Sequence, residues 1–338
     1  MVPGALRYTK IAEVVGPVFK GMCDRAAKKT TLVGLPTGLN ELDAVIGGLQ
    51  PGKLYVVAGR PGHGKSTLAG NMVSAAAIPN AAEGGNVRDG NGVMRLRDPT
   101  PVIRFDLEMT KAEATKRQML SELQRGIRHT PGLPRRLKTG ALIQGEGEPL
   151  SEAGRRVHAA PIALKDDVMT MTDIASKARR WRRGRDCGAN SPALAVIDYA
   201  QICAIEKSLA RVSREQQVAH ISVTSKRLAK ELNLPVVLLS QLNRQVDDRQ
   251  DHIPRLSDLR ESGALEQDAD VIIFLCRPCL YIPDQESPEY HAQKHDARVI
   301  VAKQRDGWTG MIRCDFMGEY FKFKDRETPG RPQDDRYQ

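Results

Sequence analysis

The chain has 338 residues, 41% of them hydrophobic, enough for one large α/β domain with extensions or for two small domains. No stretch reaches the roughly 18 apolar residues of a bilayer-crossing helix, and the first residues lack the order of a secretion signal, so the cytoplasm is the expected compartment and no membrane partner is expected. A formal net charge of +10 favours a polyanionic partner, while an aromatic content of 4% speaks against a row of stacking rings as the way of holding it.

Residues Ile11, Val14, Val15, Val18 and Met22 recur at helical spacing ahead of a basic run, Arg25 to Lys29, and predict one amphipathic helix interrupted at Gly16-Pro17. Its apolar face needs a partner, on its own domain or on a neighbouring subunit. From Leu54 onward, short apolar strands alternate with helices, the pattern of a mostly parallel twisted sheet covered on both faces. The predicted strands are Leu54 to Ala58, Val102 to Leu107, Leu194 to Asp198, Val236 to Ser240 and Val271 to Cys276. The crossover helix Ser213 to Leu232 stops before Leu234-Pro235. Ala297 to Ala302, Gly310 to Cys314 and Tyr320 to Phe323 extend the sheet. Asn80 to Thr100 and Pro131 to Pro149, rich in Gly and Pro, read as mobile surface insertions, and the last ten residues as a polar tail. The domains expected are an N-terminal extension with one helix over 1–33, one large α/β domain over 34–326 and a tail over 327–338.

The run Gly59, Arg60, Pro61, Gly62, His63, Gly64, Lys65, Ser66 fits the pattern GxxxxGK[ST] and lies between a predicted strand and the helical stretch Thr67 to Ala77. Glycines there let backbone N–H groups curl around phosphates, the helix N-terminus adds partial positive charge, Lys65 adds a full one, and Ser66 offers a hydroxyl to Mg²⁺. The chemistry is that of a nucleotide such as ATP. The strand ending at Asp198 supplies a carboxylate where a Walker B aspartate holds Mg²⁺, or else a turn cap. A base to orient water is offered by the strand ending Phe105-Asp106-Leu107-Glu108, and alternation puts Asp106 and Glu108 on one face, so spacing leaves both open. Of six cysteines only Cys276 and Cys279 are close, with no second pair or nearby His for zinc. The basic run Lys177 to Arg183 reads as a solvated helix face rather than a nucleic-acid patch.

Six separated stretches, TGLNELDAVIGGLQPGKLYVVAGRPGHGKST, FDLEM, AVIDYAQ, LAKELNLPVVLLSQLNR, DLRESGALEQDAD and VAKQRDGWTG, resemble in content and order the DnaB family of bacterial and phage replicative helicases, in its RecA-like C-terminal motor domain, from about Leu35 to Phe323. The resemblance implies a RecA-like P-loop NTPase that hydrolyses ATP with Mg²⁺, moves 5′ to 3′ on single-stranded DNA and unwinds duplex as a homo-hexameric ring with active sites between subunits. It implies phosphate contacts from the loop Gly59 to Thr67, metal ligation by Ser66 and Asp198, and Glu108 rather than Asp106 as the base. It makes Gln241 a γ-phosphate sensor. Lys303 and Arg305, otherwise a solvated basic turn, become a pair reaching the nucleotide of the adjacent subunit, Arg305 as an arginine finger. Arg260, Glu261 and Gly263 fall on the family's channel loop, expected to be flexible around its glycine and to touch the DNA backbone.

The family's N-terminal collar domain, which meets primase, has no counterpart in this sequence, and the helix near Ile11 to Met22 stands where the family has a linker helix that docks on the next subunit. Primase and helicase loader are therefore open as partners. The alternatives are a RecA-like recombinase or other ring ATPase, and a non-catalytic partner of a host helicase.

Overall fold

A computed structural model of the chain describes residues 32–80, 86–88, 94–123, 132–141, 143, 145–184, 187, 191–198, 200–206, 209 and 211–326, together with 11–13, 15, 16, 19, 20 and 23. The expected tail, 327–338, and most of the N-terminal extension lie outside the described residues. Where the extension is described between 11 and 20 it is helical, and its large apolar side chains Ile11, Val15 and Phe19 are exposed.

Nine strands form one sheet. β1 (Leu54–Gly59), β4 (Val102–Asp106), β5 (Ile162–Lys165), β6 (Leu194–Asp198), β7 (Val236–Gln241) and β8 (Val271–Cys276) run parallel to one another. β9 (Asp296–Gln304), β10 (Gly310–Met317) and β11 (Lys322–Asp325) add an antiparallel flank beside β8. Across the sheet the order is β11-β10-β9-β8-β1-β7-β6-β4-β5. The inner strands are buried along their whole length, as strands covered on both faces must be, which is why they read as unbroken apolar runs. β2 (Asn86–Arg88) and β3 (Met94–Leu96) make a separate hairpin inside the Asn80 to Thr100 insertion, the rest of which lies largely outside the described residues.

Each sheet face carries its own layer. α1 (Asn40–Ile46) and α2 (Lys65–Ala77) pack Leu42, Ile46, Leu68 and Met72 on Tyr55, Val57, Val237 and Ile273. On the other face, α6 (Met171–Arg183), α7 (Arg214–Leu232) and α8 (Gly263–Asp268) pack Ile174, Val218, Leu228 and Leu265 on Leu54, Val56, Leu238 and Phe274. α7 begins at a capping box in which the Ser213 hydroxyl accepts from the Gln216 N–H, and it ends where Asn233 turns left-handed at φ 48° ahead of Leu234-Pro235, as the sequence predicts.

The segment Pro131 to Pro149 departs from the expectation of a mobile insertion. It holds α4 (Leu133–Thr139) and the start of α5 (Gly147–Ala159), and Leu133 is buried with Leu120, Leu123, Ala153 and Tyr320 beside α3 (Lys111–Glu122). Arg136, paired with Glu146, ties the turn between the two helices. The remaining helix, α9 (Pro288–Gln293), precedes β9. No described helix is long and apolar enough to cross a membrane.

Candidate functional site

The loop between β1 and α2 lies at the carboxyl edge of the parallel sheet, the edge where open α/β sheets bind ligands. Gly62 and Gly64 take φ of +82° and +96°, backbone that side chains with a Cβ rarely adopt. A Cβ on Gly64 would also stand 2.7 Å from the Phe323 ring and 3.1 Å from Phe316, so the aromatic pair of β10 and β11 presses directly on the loop. Arg277, just past β8, donates its backbone N–H to His63 Nδ1 at 3.0 Å and a guanidinium N–H to the Gly62 carbonyl at 3.0 Å, with its charge over Phe316. Burial, with Arg277 and Lys65 nearby, pushes the His63 imidazole down to about 4, so it is neutral and accepts at Nδ1.

Lys65 Nζ donates to the carbonyls of Gly59 at 3.0 Å and Arg60 at 3.2 Å. Burial lowers its pKa, and the carboxylates of Asp198 and Glu108 work against that shift. A pocket of about 350 Å³ opens over it, bounded by Pro61, Gly62 and Gly64 to Thr67, by Glu108 and Arg117, by Gln241, and by Phe316, Gly318 and Phe321.

The two acidic strand ends differ in chemistry. Asp106 stands beside Asp198 in register, and both are buried. Arg104 Nε donates to Asp106 Oδ1 at 2.8 Å and Nη2 of the ion pair lies 2.7 Å from the same oxygen, whereas neither oxygen of Asp198 has a hydrogen-bond partner among the described residues. Burial raises the Asp106 pKa, Arg104 opposes the rise, and Asp198 adds to it. β4 stops at Asp106, so strand alternation does not reach Glu108; that carboxylate lies two residues past the strand, exposed and facing the phosphate pocket.

Gln241 is the last residue of β7, opposite Gly59, and its main chain is clamped by Gln201, which accepts from the Gln241 N–H at 3.1 Å and donates to its carbonyl at 3.2 Å. Gln241 and Arg60 also border a second pocket of about 310 Å³ with Gln201, Asn243, Asp258 and Leu259, so Gln241 stands between the two cavities. Arg60 spans the same gap through Asp247 and the Leu242 carbonyl.

The segment Leu256–Ser262 is built of 3-10 turns kinked at Leu259, where ψ is 15°, and continues into α8, and Gly263 adopts φ −51°, ordinary right-handed backbone. That glycine, expected to lie in a loop, starts a helix. The side chains of Arg260 and Glu261 lie outside the described part of the structure. Lys303 and Arg305 donate to the carbonyls of Glu266 and Gln267 at the C-terminal end of α8, where cations complement the helix dipole, and the Arg305 N–H donates to the Asp270 carbonyl at 3.0 Å. Asp270 in turn accepts from the Leu54 N–H at 2.7 Å, at the start of β1. The basic pair and the phosphate loop therefore occupy opposite edges of the sheet.

Residues that gave no signal in the sequence are Arg117, Asp247 and Arg277, because each reaches the site through a contact distant in the chain, while Gln201, which closes the stretch AVIDYAQ, was given no role. In the basic run of α6, Arg182 is buried against the carbonyls of Leu232 and Ser191, and Arg179 pairs with Glu231 at 2.8 Å. Cys276 and Cys279 are buried free thiols, and among the described residues no His, Cys, Asp or Glu cluster suits a metal held by the protein alone.

The family model described as DnaB-like helicase C terminal domain matches residues 34–325. The chain belongs to the DnaB-like helicase C-terminal domain family. It is 34% identical over 319 residues to the replicative DNA helicase DnaB of Leifsonia xyli subsp. xyli, covering 94% of this chain and 62% of that protein. The DnaB of Geobacillus stearothermophilus is 35% identical over 298 residues, covering 88% of this chain and 57% of that one. The chain thus spans about 60% of the length of the curated relatives it matches. Among solved structures, an isolated ATPase domain superposes with a TM-score of 0.77 at 30% identity over 95% of this chain and 100% of that one. A DnaB-like replicative helicase, solved in a study of its interactions with primase, gives 0.74 at 30% over 95% and 68%. The RadB recombinase, 17% identical with a TM-score of 0.50, shares the RecA-like fold alone.

Proposed function

We propose that this DnaB-like chain is the motor of a replicative DNA helicase, which uses ATP hydrolysis to move 5′ to 3′ along single-stranded DNA in the cytoplasm and to part the duplex as a hexameric ring. The observation that carries the reading is the separation within one chain of the phosphate loop from Lys303 and Arg305. The basic pair lies at the Leu54 end of β1 and the loop at its Gly59 end, roughly 17 Å away at the rise of a parallel strand. A cation that far from its own pocket serves a γ-phosphate only on another copy, so each site is completed by a neighbour.

The roles follow from position. Lys65 and the loop N–H groups from Gly59 to Thr67 bind the β- and γ-phosphates. Leaving the Gly59 and Arg60 carbonyls frees Lys65 Nζ for the γ-phosphate. Glu108, exposed over the pocket, orients the attacking water and takes its proton; Asp106 is already engaged by Arg104. Mg²⁺ fits the donor set, since the hydroxyl of Ser66 stands at the loop and the buried Asp198 carboxylate has both oxygens unpaired among the described residues; bound there, it would neutralise phosphate charge. Arg117 adds a cation at the pocket wall, and Arg305 of the adjacent copy spreads the charge that develops on the transferred phosphoryl group. Gln241, between the two cavities, passes the γ-phosphate state toward Arg260, Glu261 and Gly263, which hold the DNA backbone without reading bases.

The exposed stripe Ile11, Val15, Phe19 supports docking of the N-terminal helix on the next subunit, with 1–33 as linker, 34–326 as motor and 327–338 as tail. Primase or a loader would bind the assembled ring.

Strand displacement on forked substrates carrying only a 5′ or only a 3′ single-stranded tail tests the reading. ATP-dependent displacement of the 5′-tailed substrate is expected. Nucleotide hydrolysis with open filaments on DNA and no displacement would favour a recombinase instead.

A further inference from the structure

The β9–β10 turn carries Trp308, the most exposed large apolar side chain among the described residues, at 85% of its full accessible surface. A lone exposed apolar residue is ordinary on a protein surface. Three features separate Trp308 from that background. First, the turn is anchored: the Arg305 N–H is bonded to the Asp270 carbonyl, and Asp306 pairs with Lys53 at 2.9 Å. Second, a further large apolar side chain is exposed nearby in the chain: Met311, half exposed at the start of β10 and directly across from Ile300. Third, Ile300 packs into the same core layer as Leu265 of α8, the helix whose end Lys303 and Arg305 reach, so Met311 opposite it lies on the α8 side of the sheet, the side of the two cations.

We propose that Trp308, with Met311, is the apolar anchor by which the β9–β10 turn seats on the neighbouring copy of this chain that receives Arg305. The inference rests on the reading of Arg305 as acting on an adjacent copy. A rigid aromatic side chain three residues beyond the finger enters the same contact, and tryptophan beside arginine is the combination that concentrates binding energy at protein interfaces. The Arg305 side chain is half exposed, and a seated tryptophan three residues on would limit where the guanidinium can go once it leaves the Gln267 carbonyl.

The sequence has two tryptophans, and the other, Trp181, packs partly buried against the core, so a Trp181→Phe chain reports on Trp308 alone. With Mg²⁺ and a non-hydrolysable ATP analogue, raising the protein concentration through assembly should move its emission to shorter wavelength and lower acrylamide quenching severalfold. In the otherwise unaltered chain, Trp308→Ala should raise the concentration needed for assembly about tenfold or more, as loss of an interface anchor does, while the exposed control Val168→Ala leaves it unchanged. Assembly with quenching unaltered, or Trp308→Ala assembling at the wild-type concentration, overturns the proposal. Wild-type turnover in Arg305→Ala overturns the adjacent-copy reading itself, and a chain that stays monomeric at every concentration overturns both.

Discussion

Asp247 accepts a hydrogen bond from Arg60 Nε at 2.9 Å, with Nη2 of the same ion pair also 2.9 Å from that oxygen, and so joins the phosphate loop to the segment that follows β7. Its other oxygen accepts from the Tyr281 hydroxyl at 3.2 Å, and Arg60 is further held by the Leu242 carbonyl. The chain beyond Asp247 runs through Asp258, whose carbonyl accepts from the Asn243 N–H, into the segment of Arg260. The phosphate loop and the segment proposed to hold DNA thus share one charged tie. Charged hydrogen bonds of this kind contribute about 1.5–3 kcal/mol. Asp247→Asn should therefore reduce the stimulation of ATPase by single-stranded DNA about tenfold or more while lowering basal turnover only a few-fold. Steady-state rates with and without DNA measure this; equal losses in both would assign Asp247 a purely local role.

Glu108 and Asp106 should separate cleanly. Glu108→Gln is expected to lower turnover by ~10²–10⁴ with nucleotide affinity and melting temperature near wild type, since the exposed carboxylate is needed for proton transfer and not for packing. Asp106→Asn should instead destabilise the fold by about 3–5 kcal/mol, because it leaves the buried Arg104 guanidinium without its counter-charge. Single-turnover ATPase and thermal melts of both variants check the pair.

Gly64→Ala should unfold more readily as well as bind nucleotide poorly. The left-handed backbone costs about 1–2 kcal/mol for alanine, and the approach to Phe323 and Phe316 adds about 1–3 kcal/mol. A denaturant titration should locate a loss in that range; a wild-type midpoint would mean the aromatic pair does not press on the loop.

His63 introduces a pH dependence of known sign. Its folded pKa of about 4 lies below the unfolded value of 6.5, so the unfolded chain binds the proton more readily. The stability this neutral imidazole contributes is full above pH 6.5 and falls away as pH drops toward 4, by up to about 3 kcal/mol. Melting temperatures across that window should fall for the wild type and flatten for His63→Gln.

The sheet was legible because its inner strands are unbroken apolar runs, and the phosphate loop because its residues are contiguous. β5, half-buried at the sheet edge, is only four residues long, and α4 follows Gly132, opens on Leu133-Pro134 and has only Leu137 as a further apolar residue, so its packing was hidden. Gly263 illustrates the limit of reading a glycine as a hinge: the chain there continues helical, and only the backbone angle distinguishes the cases. The contacts of Arg117, Gln201, Asp247 and Arg277 are made by tertiary folding and leave no local pattern. The opposite placement of Arg305 and Gly59 likewise follows only from strand order.

That placement is tested most directly by mixing two inactive chains, Lys65→Ala and Arg305→Ala, under conditions where subunits exchange. If sites form between copies, about one quarter of the interfaces in a random equimolar mixture combine an intact Lys65 with an intact Arg305, and ATPase activity should reappear above the sum of the separate chains. If activity stays at that sum although mass measurements show mixed assemblies, Arg305 serves its own chain and the shared site does not exist.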